Sequence, residues 1–328
     1  MSQQHWSNVK ESGSVLGMKI MLSIYRRFGE LPFLIALAPV SVYYWCRNPL
    51  ARRASKEYQR RFRATYPDKP LPRLTTLRHF MAFGVTMLDK VRALHGEVAL
   101  SQIDNLDRET MREAIESKQG GVILVTHIGN HEICQALSSS RDDLRLSLLM
   151  HTHHAQKFNA LLKESRRPGA VDIIEVTDIG PDTAQRLKER IDGGGFVVIA
   201  ADREPIGEQG RARSLNFLGA PAAFPEGAFW LTLLLRCPVY LLICARDGKT
   251  FNVHFEPLGD SRGVKRRERD SWIGEQMQQF AQRLEHYCTR YPLQWFNFYP
   301  FWSEAPERQK AQQSPGVCSK QPSENAHG

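Results

Sequence analysis

Short apolar runs separated by polar stretches of helical pattern organise most of the chain. The runs fall at 121–126 (GVILVT), 146–150 (LSLLM), 172–176 (DIIEV), 196–201 (FVVIAA), 238–245 (PVYLLICA) and 251–257 (FNVHFEP). They are short and rich in Val, Ile and Leu, as strands covered on both faces are. Between them, 107–117, 154–164, 181–191 and 228–235 read as helices, and 267–290 reads as a closing helix. Strands alternating with helices predict an α/β fold with a mostly parallel, mixed sheet flanked by helices.

The N-terminal third follows another pattern. Residues 1–30 are an amphipathic lead-in, where Met18, Ile20, Met21, Ile24 and Tyr25 interleave with Lys19, Arg26 and Arg27. Residues 31–46 (LPFLIALAPVSVYYWC) are apolar, shorter than the roughly 20 residues a spanning helix needs, and interrupted by Pro32 and Pro39. Arg26 and Arg27 precede this run, Arg47, Arg52 and Arg53 follow it, and Tyr43, Tyr44 and Trp45 edge it. Basic flanks and an aromatic edge fit a membrane-associated helix, dipped into the interface or marginally spanning, better than a buried core helix. A basic linker over 47–72 leads to a helix over 74–94. The expected divisions are 1–72 (membrane-associated helices and linker), 73–303 (catalytic domain) and 304–328 (a polar, disordered tail).

Charge changes the picture modestly. With 44 Lys and Arg against 35 Asp and Glu the chain carries +9, which favours anionic partners. The basic residues gather near the apolar segment and at Lys265–Arg269, and no nucleic-acid motif appears, so no nucleic-acid partner is expected. Six scattered cysteines without a CxxC pair read as reduced thiols.

Four segments carry candidate chemistry. In Val125-Thr-His127-Ile-Gly-Asn130-His-Glu132, a strand ends and a helix opens. Asn130 is a good N-cap, which puts Glu132 in the first turn, where the helix dipole favours a carboxylate. Across the turn at Gly129, Glu132 is expected to orient His127 as a general base for a hydroxyl. A histidine beside a capped helix start fits the same pattern. Asp202 and Arg203, within Ala200-Ala-Asp-Arg-Glu204, follow another strand, either to bind a polar head group or as a loop ion pair. Gly219, Phe224, Pro225, Glu226 and Gly227 belong to a small-residue stretch entering a helix, suited to close backbone approach by a ligand or to an ordinary turn. Residues 291–302 (YPLQWFNFYPFW) are strongly aromatic, for lipid contact or for core packing.

Together these segments resemble the bacterial lipid A late acyltransferase family, within the lysophospholipid acyltransferase superfamily. The resemblance rests on His127-x4-Glu132, the strand ending at Asp202, Phe217-Leu-Gly-Ala-Pro-Ala-Ala-Phe-Pro225 and Pro292-Leu-Gln-Trp-Phe296, and spans about 15–302. It implies the superfamily α/β fold and transfer of an acyl chain from acyl carrier protein or acyl-CoA to a membrane lipid at the cytoplasmic face of the bacterial inner membrane. His127 would be the base with Glu132 its partner, and Asn130, Asp202, Arg203, Gly219, Phe224, Pro225, Glu226 and Gly227 would bind substrate. No cofactor and no metal is expected. The chain departs from the pattern where His131 replaces a tryptophan and where Phe224-Pro-Glu-Gly227 continues Ala228-Phe229 rather than Thr-Arg. These departures widen the acceptor from lipid A to another glycolipid or a pigment lipid. Competing readings are a metal hydrolase built on His127, His131 and Glu132, with His151, His153 and His154 one strand later, and a non-catalytic basic protein that binds membrane or nucleic acid.

Overall fold

Residue alternation along β2 (Gly121–Gly129) shows how the core is built. Val122 and Leu124 face one buried cluster, Ile123 and Val125 the other. A strand covered on both faces has no polar side, which is why Gly121–Val125 is wholly apolar. The computed structural model describes residues 15–134, 144–150, 171–175, 180–203 and 211–302. Among them β2 joins β1 (Ile103–Asn105), β3 (Leu146–Met150), β4 (Val171–Glu175), β5 (Phe196–Ala200), β8 (Pro238–Asp247) and β9 (Thr250–Asp260) in one sheet. Its seven strands run in the order β1-β9-β8-β2-β5-β3-β4. Neighbours pair in parallel except β8 with β9. The expected fold class is therefore present, with β1 an addition.

Helices cover both faces. On one side lie α3 (Pro49–Thr65), α6 (Pro181–Asp192), α7 (Gly227–Leu235) and α8 (Arg269–Arg290), whose apolar residues join the larger cluster. On the other side α5 (Arg108–Glu116) and the end of α4 (Thr75–Leu94) meet Phe251, Val253 and Phe255 of β9. A separate antiparallel hairpin, β6 (Ala212–Phe217) with β7 (Ala220–Pro225), lies against the larger cluster. The helix expected over 154–164 and the tail from 304 lie outside the described residues. Cys237, Cys244 and Cys288 are buried free thiols, whereas Cys46 is exposed.

The N-terminal region differs from the sequence reading in one respect. The basic stretch expected as a linker is mostly helix α3, whose inner face is Ala54, Ser55, Tyr58, Gln59 and Phe62. Its outer face carries the arginines, and the polar Ser55 and Gln59 on the inner face disguise the amphipathic pattern. The apolar run forms α2 (Glu30–Arg47), continuous through Pro39, after α1 (Val15–Phe28). No described helix is long and apolar enough to cross a membrane. Phe33, Leu37 and Ser41 of α2 are buried, while Leu31, Ile35, Val42 and Tyr43 are exposed. A partly buried ion cluster ties these helices to the sheet: Asp89 of α4 pairs with Arg92 at 3.0 Å and with Arg246 of β8 at 2.7 Å, and Arg246 also pairs with Glu30.

Candidate active site

Strand register assembles the site. Parallel β2 and β5 align Val125 with Ala200. Two residues beyond each partner the chain places His127 and Asp202, so two side chains 75 positions apart meet at the carboxyl ends of adjacent strands. Ligand sites in open α/β sheets form at these strand ends. Pairing of β2 with β8 shifts between Val125 and Gly129. Gly129 has φ +64°, and a Cβ there would lie 2.0 Å from the Cys244 carbonyl oxygen, so only glycine lets the motif close onto β8.

Asp202 holds His127 at two points. The His127 backbone N–H donates to Oδ2 at 2.8 Å, and Nδ1 lies 2.7 Å from Oδ1. Burial pulls the Asp202 carboxyl upward, but His127 and Arg203 prevail and hold it at about 2. An ionised carboxylate only accepts, so Nδ1 carries the proton and Nε2 presents a lone pair. Burial first, then the Arg203 cation, pushes His127 below its usual value, keeping the imidazole neutral. The Asp202 side chain is 0% exposed and that of His127 30%. The base is thus reachable while the group that orients it is sealed.

The expected partnership of His127 with Glu132 is not the one formed. Asn130 Oδ1 accepts the Glu132 N–H at 3.2 Å, and a helix opens at Glu132, as the capping pattern predicts. That turn carries the Glu132 carboxylate towards α4. There it pairs with Lys90, and His131 Nε2 stands 3.6 Å from it. Burial raises the Glu132 carboxyl, but His131 and Lys90 outweigh it and hold it at about 2. Burial also pushes His131 below its usual value despite that carboxylate. Asn130 Nδ2 reaches the Thr86 carbonyl at 3.4 Å, a second tie to α4.

Arg203 leaves the strand end beside Asp202. Its guanidinium donates to the Phe296 carbonyl and lies 5.5 Å from the Tyr299 ring centre, and its buried Nε has no hydrogen-bond partner among the described residues. Glu204 lies outside the described residues.

The remaining predicted residues form a separate group. Leu218 and Gly219, both at positive φ, make the two-residue turn of the β6–β7 hairpin. The Leu218 amide donates to Glu285 Oε2 at 2.7 Å, so the turn directs that donor at α8. Phe224 is fully buried among Phe217, Phe280 and Phe301, and Pro225 is buried beside it. Glu226 receives Arg213 Nε at 2.9 Å and the Trp230 indole at 3.0 Å at the start of α7, which Gly227 opens. These contacts run to α8, to β6 and to the aromatic core, rather than to His127, Glu132 or Asp202.

The aromatic C-terminal segment, read from sequence as lipid contact or packing, straps the site. Phe296 N–H donates to the His127 carbonyl and Gly129 N–H to the Gln294 carbonyl, each at 2.9 Å, and Trp295 bridges to Ile128. Gln294 is fixed in turn to both backbone groups of Arg246. The Trp295 indole donates to Asp202 Oδ2 at 3.1 Å. Lys90 was not legible as a site residue, since it arrives from an element remote in sequence, and Trp295 was read only for lipid contact or packing, not as a donor to Asp202. Among the described residues no group of three or more His, Cys, Asp or Glu is placed to hold a metal, and His151, His153 and His154 lie outside them.

Residues 77–304, more than half of the chain and inclusive of every candidate side chain, match the family model for the bacterial lipid A biosynthesis acyltransferases. No curated protein matches.

Proposed function

The chain belongs to the bacterial lipid A biosynthesis acyltransferase family and is an acyltransferase; from that premise we propose that it moves a fatty acyl chain from a thioester, on acyl carrier protein or CoA, to a hydroxyl of a membrane glycolipid. One observation carries the reading: a neutral histidine, its Nδ1–H held by a buried carboxylate, opens Nε2 at a strand end. His127 Nε2 takes the proton of the acceptor hydroxyl as its oxygen attacks the thioester carbonyl. The C–O bond forms, the C–S bond breaks, and the departing sulfur takes the proton back from Nε2. Asp202 stays ionised throughout and stabilises the imidazolium. Glu132, with Lys90 and His131, anchors the second half of the motif, and Arg203 offers a cation beside the base for the phosphate-bearing donor.

Dodecanoyl-carrier protein and dodecanoyl-CoA, each incubated with the full chain and extracted bacterial membrane glycolipids, test this directly. The expected product by mass spectrometry is a glycolipid carrying one more dodecanoyl ester. Free dodecanoate with no acylated lipid would replace the transferase with a hydrolase. The rate should rise with pH through the His127 transition, which burial and Arg203 hold below the ordinary imidazole value, because the unprotonated imidazole is the active form. An acid limb centred above the ordinary imidazole value would contradict His127 as the base.

The acceptor's location gives the N-terminal helices a role at the cytoplasmic face of the inner membrane. Ile20, Phe28, Leu31, Ile35, Val42 and Tyr43 are exposed, and arginines flank them, an arrangement that supports interfacial binding to anionic lipid. Leu31→Glu with Ile35→Glu is expected to abolish flotation with phosphatidylglycerol vesicles. Undiminished flotation of this double variant would place membrane contact elsewhere.

A further inference from the structure

The indole of Trp295 does more than fill space. The side chain is 1% exposed and meets the rings of Tyr58, Phe217 and Phe301 edge-on, with centroids 5.1–5.2 Å away. A phenylalanine satisfies that much. The indole N–H, however, donates to Oδ2 of Asp202, the oxygen that also accepts the His127 backbone N–H. Two donors on Oδ2 fix the carboxylate plane and leave Oδ1 aimed at Nδ1.

Trp295 is itself held from behind. His79 Nε2 lies 2.9 Å from the Trp295 carbonyl oxygen, and burial pushes this histidine down to about 4, so it is neutral. A carbonyl only accepts, so Nε2 carries the proton. His79 Nδ1 therefore accepts from Ser55 Oγ at 2.9 Å, and Gln59 Nε2 donates to that same Oγ at 3.0 Å. Ser55, Gln59 and His79 are all buried. The polar side chains on the inner face of α3 thus lead through His79 to the backbone of Trp295, and its side chain leads to the base.

We propose that Trp295 is a positioning residue for the acyl transfer, acting through Asp202 to aim His127. The proposal rests on the reading of His127 as the base. Trp302 supplies an internal control. It lies 6.0 Å from Trp295 in the same aromatic cluster, but its indole donates to the Phe217 carbonyl at 3.1 Å.

Trp295→Phe and Trp302→Phe, each in the full chain, separate positioning from packing. Asp202, Arg203 and His131 are the charged and titratable groups that act on His127. When Asp202 loses the indole donor, its charge is less shared and favours the imidazolium more. In Trp295→Phe the His127 transition, followed by 15N NMR, should rise by about half a unit. Turnover of dodecanoyl-CoA with membrane glycolipid should lose about tenfold in kcat, with KM little changed. Trp302→Phe should move neither. In the unsubstituted protein the Trp295 indole resonance should shift as His127 titrates, a measurement that needs no variant. Identical His127 titrations in the two variants, or an indole resonance that ignores the titration, would overturn the proposal. Full transfer by His127→Ala would instead overturn the base assignment beneath it.

Discussion

His127→Ala is expected to give a folded protein whose transfer rate has fallen by about three orders of magnitude. An unactivated lipid hydroxyl attacks a thioester slowly, and the substitution removes the group that takes its proton. The fold should survive, because the imidazole is 30% exposed and truncation opens towards solvent rather than into the core. Asp202 keeps two donors after the change, the backbone N–H of residue 127 and the Trp295 indole, so its charge is not stranded. Circular dichroism should overlay the unsubstituted spectrum while acylated glycolipid disappears. Transfer at the original rate would refute the mechanism, whatever the family.

This arrangement was partly legible in the sequence. β2, β5 and β8 announce themselves because doubly covered strands are written almost wholly in apolar residues. β6 and β7 do not: their residues (ARSLNF and APAAFP) carry little strand signal, and the turn between them uses Leu218 at positive φ. β1 is only three residues long, two of them polar. His127 was legible as chemistry, but its partner was not legible as neighbour. Local spacing favoured Glu132, five residues on; the turn at Gly129 and Asn130 instead starts a helix that carries this carboxylate to Lys90. The true neighbour follows from register alone, since Val125 aligns with Ala200 and each is followed two residues later by a polar side chain. Sequence can offer that pairing only once the order of strands in the sheet is known, and here β5 lies beside β2 although β3 and β4 intervene in the chain.

Asp202→Asn is the sharper test of that pairing, and it is expected to cost about three to four orders of magnitude in kcat while leaving the fold intact. The side chains have nearly the same shape, so the difference is in hydrogen. Oδ2 accepts two N–H groups, from the His127 backbone and Trp295, whereas among the described residues Oδ1 faces Nδ1. An asparagine satisfies both donors by placing its carbonyl at the Oδ2 position, which turns its NH2 towards Nδ1. Nδ1 must then accept, the ring proton moves to Nε2, and the atom that should take the hydroxyl proton already bears one. Loss of the carboxylate also removes the charge that raises the His127 pKa, so the acid limb of any residual rate should move to lower pH. Glu132→Gln, by contrast, leaves the Nδ1–Oδ1 bond in place and is expected to weaken the Lys90 anchorage without reversing the tautomer. If Asp202→Asn retained transfer within tenfold of the unsubstituted rate while Glu132→Gln abolished it, the orienting role would return to Glu132, and the close contact of His127 with Asp202 would be structural only.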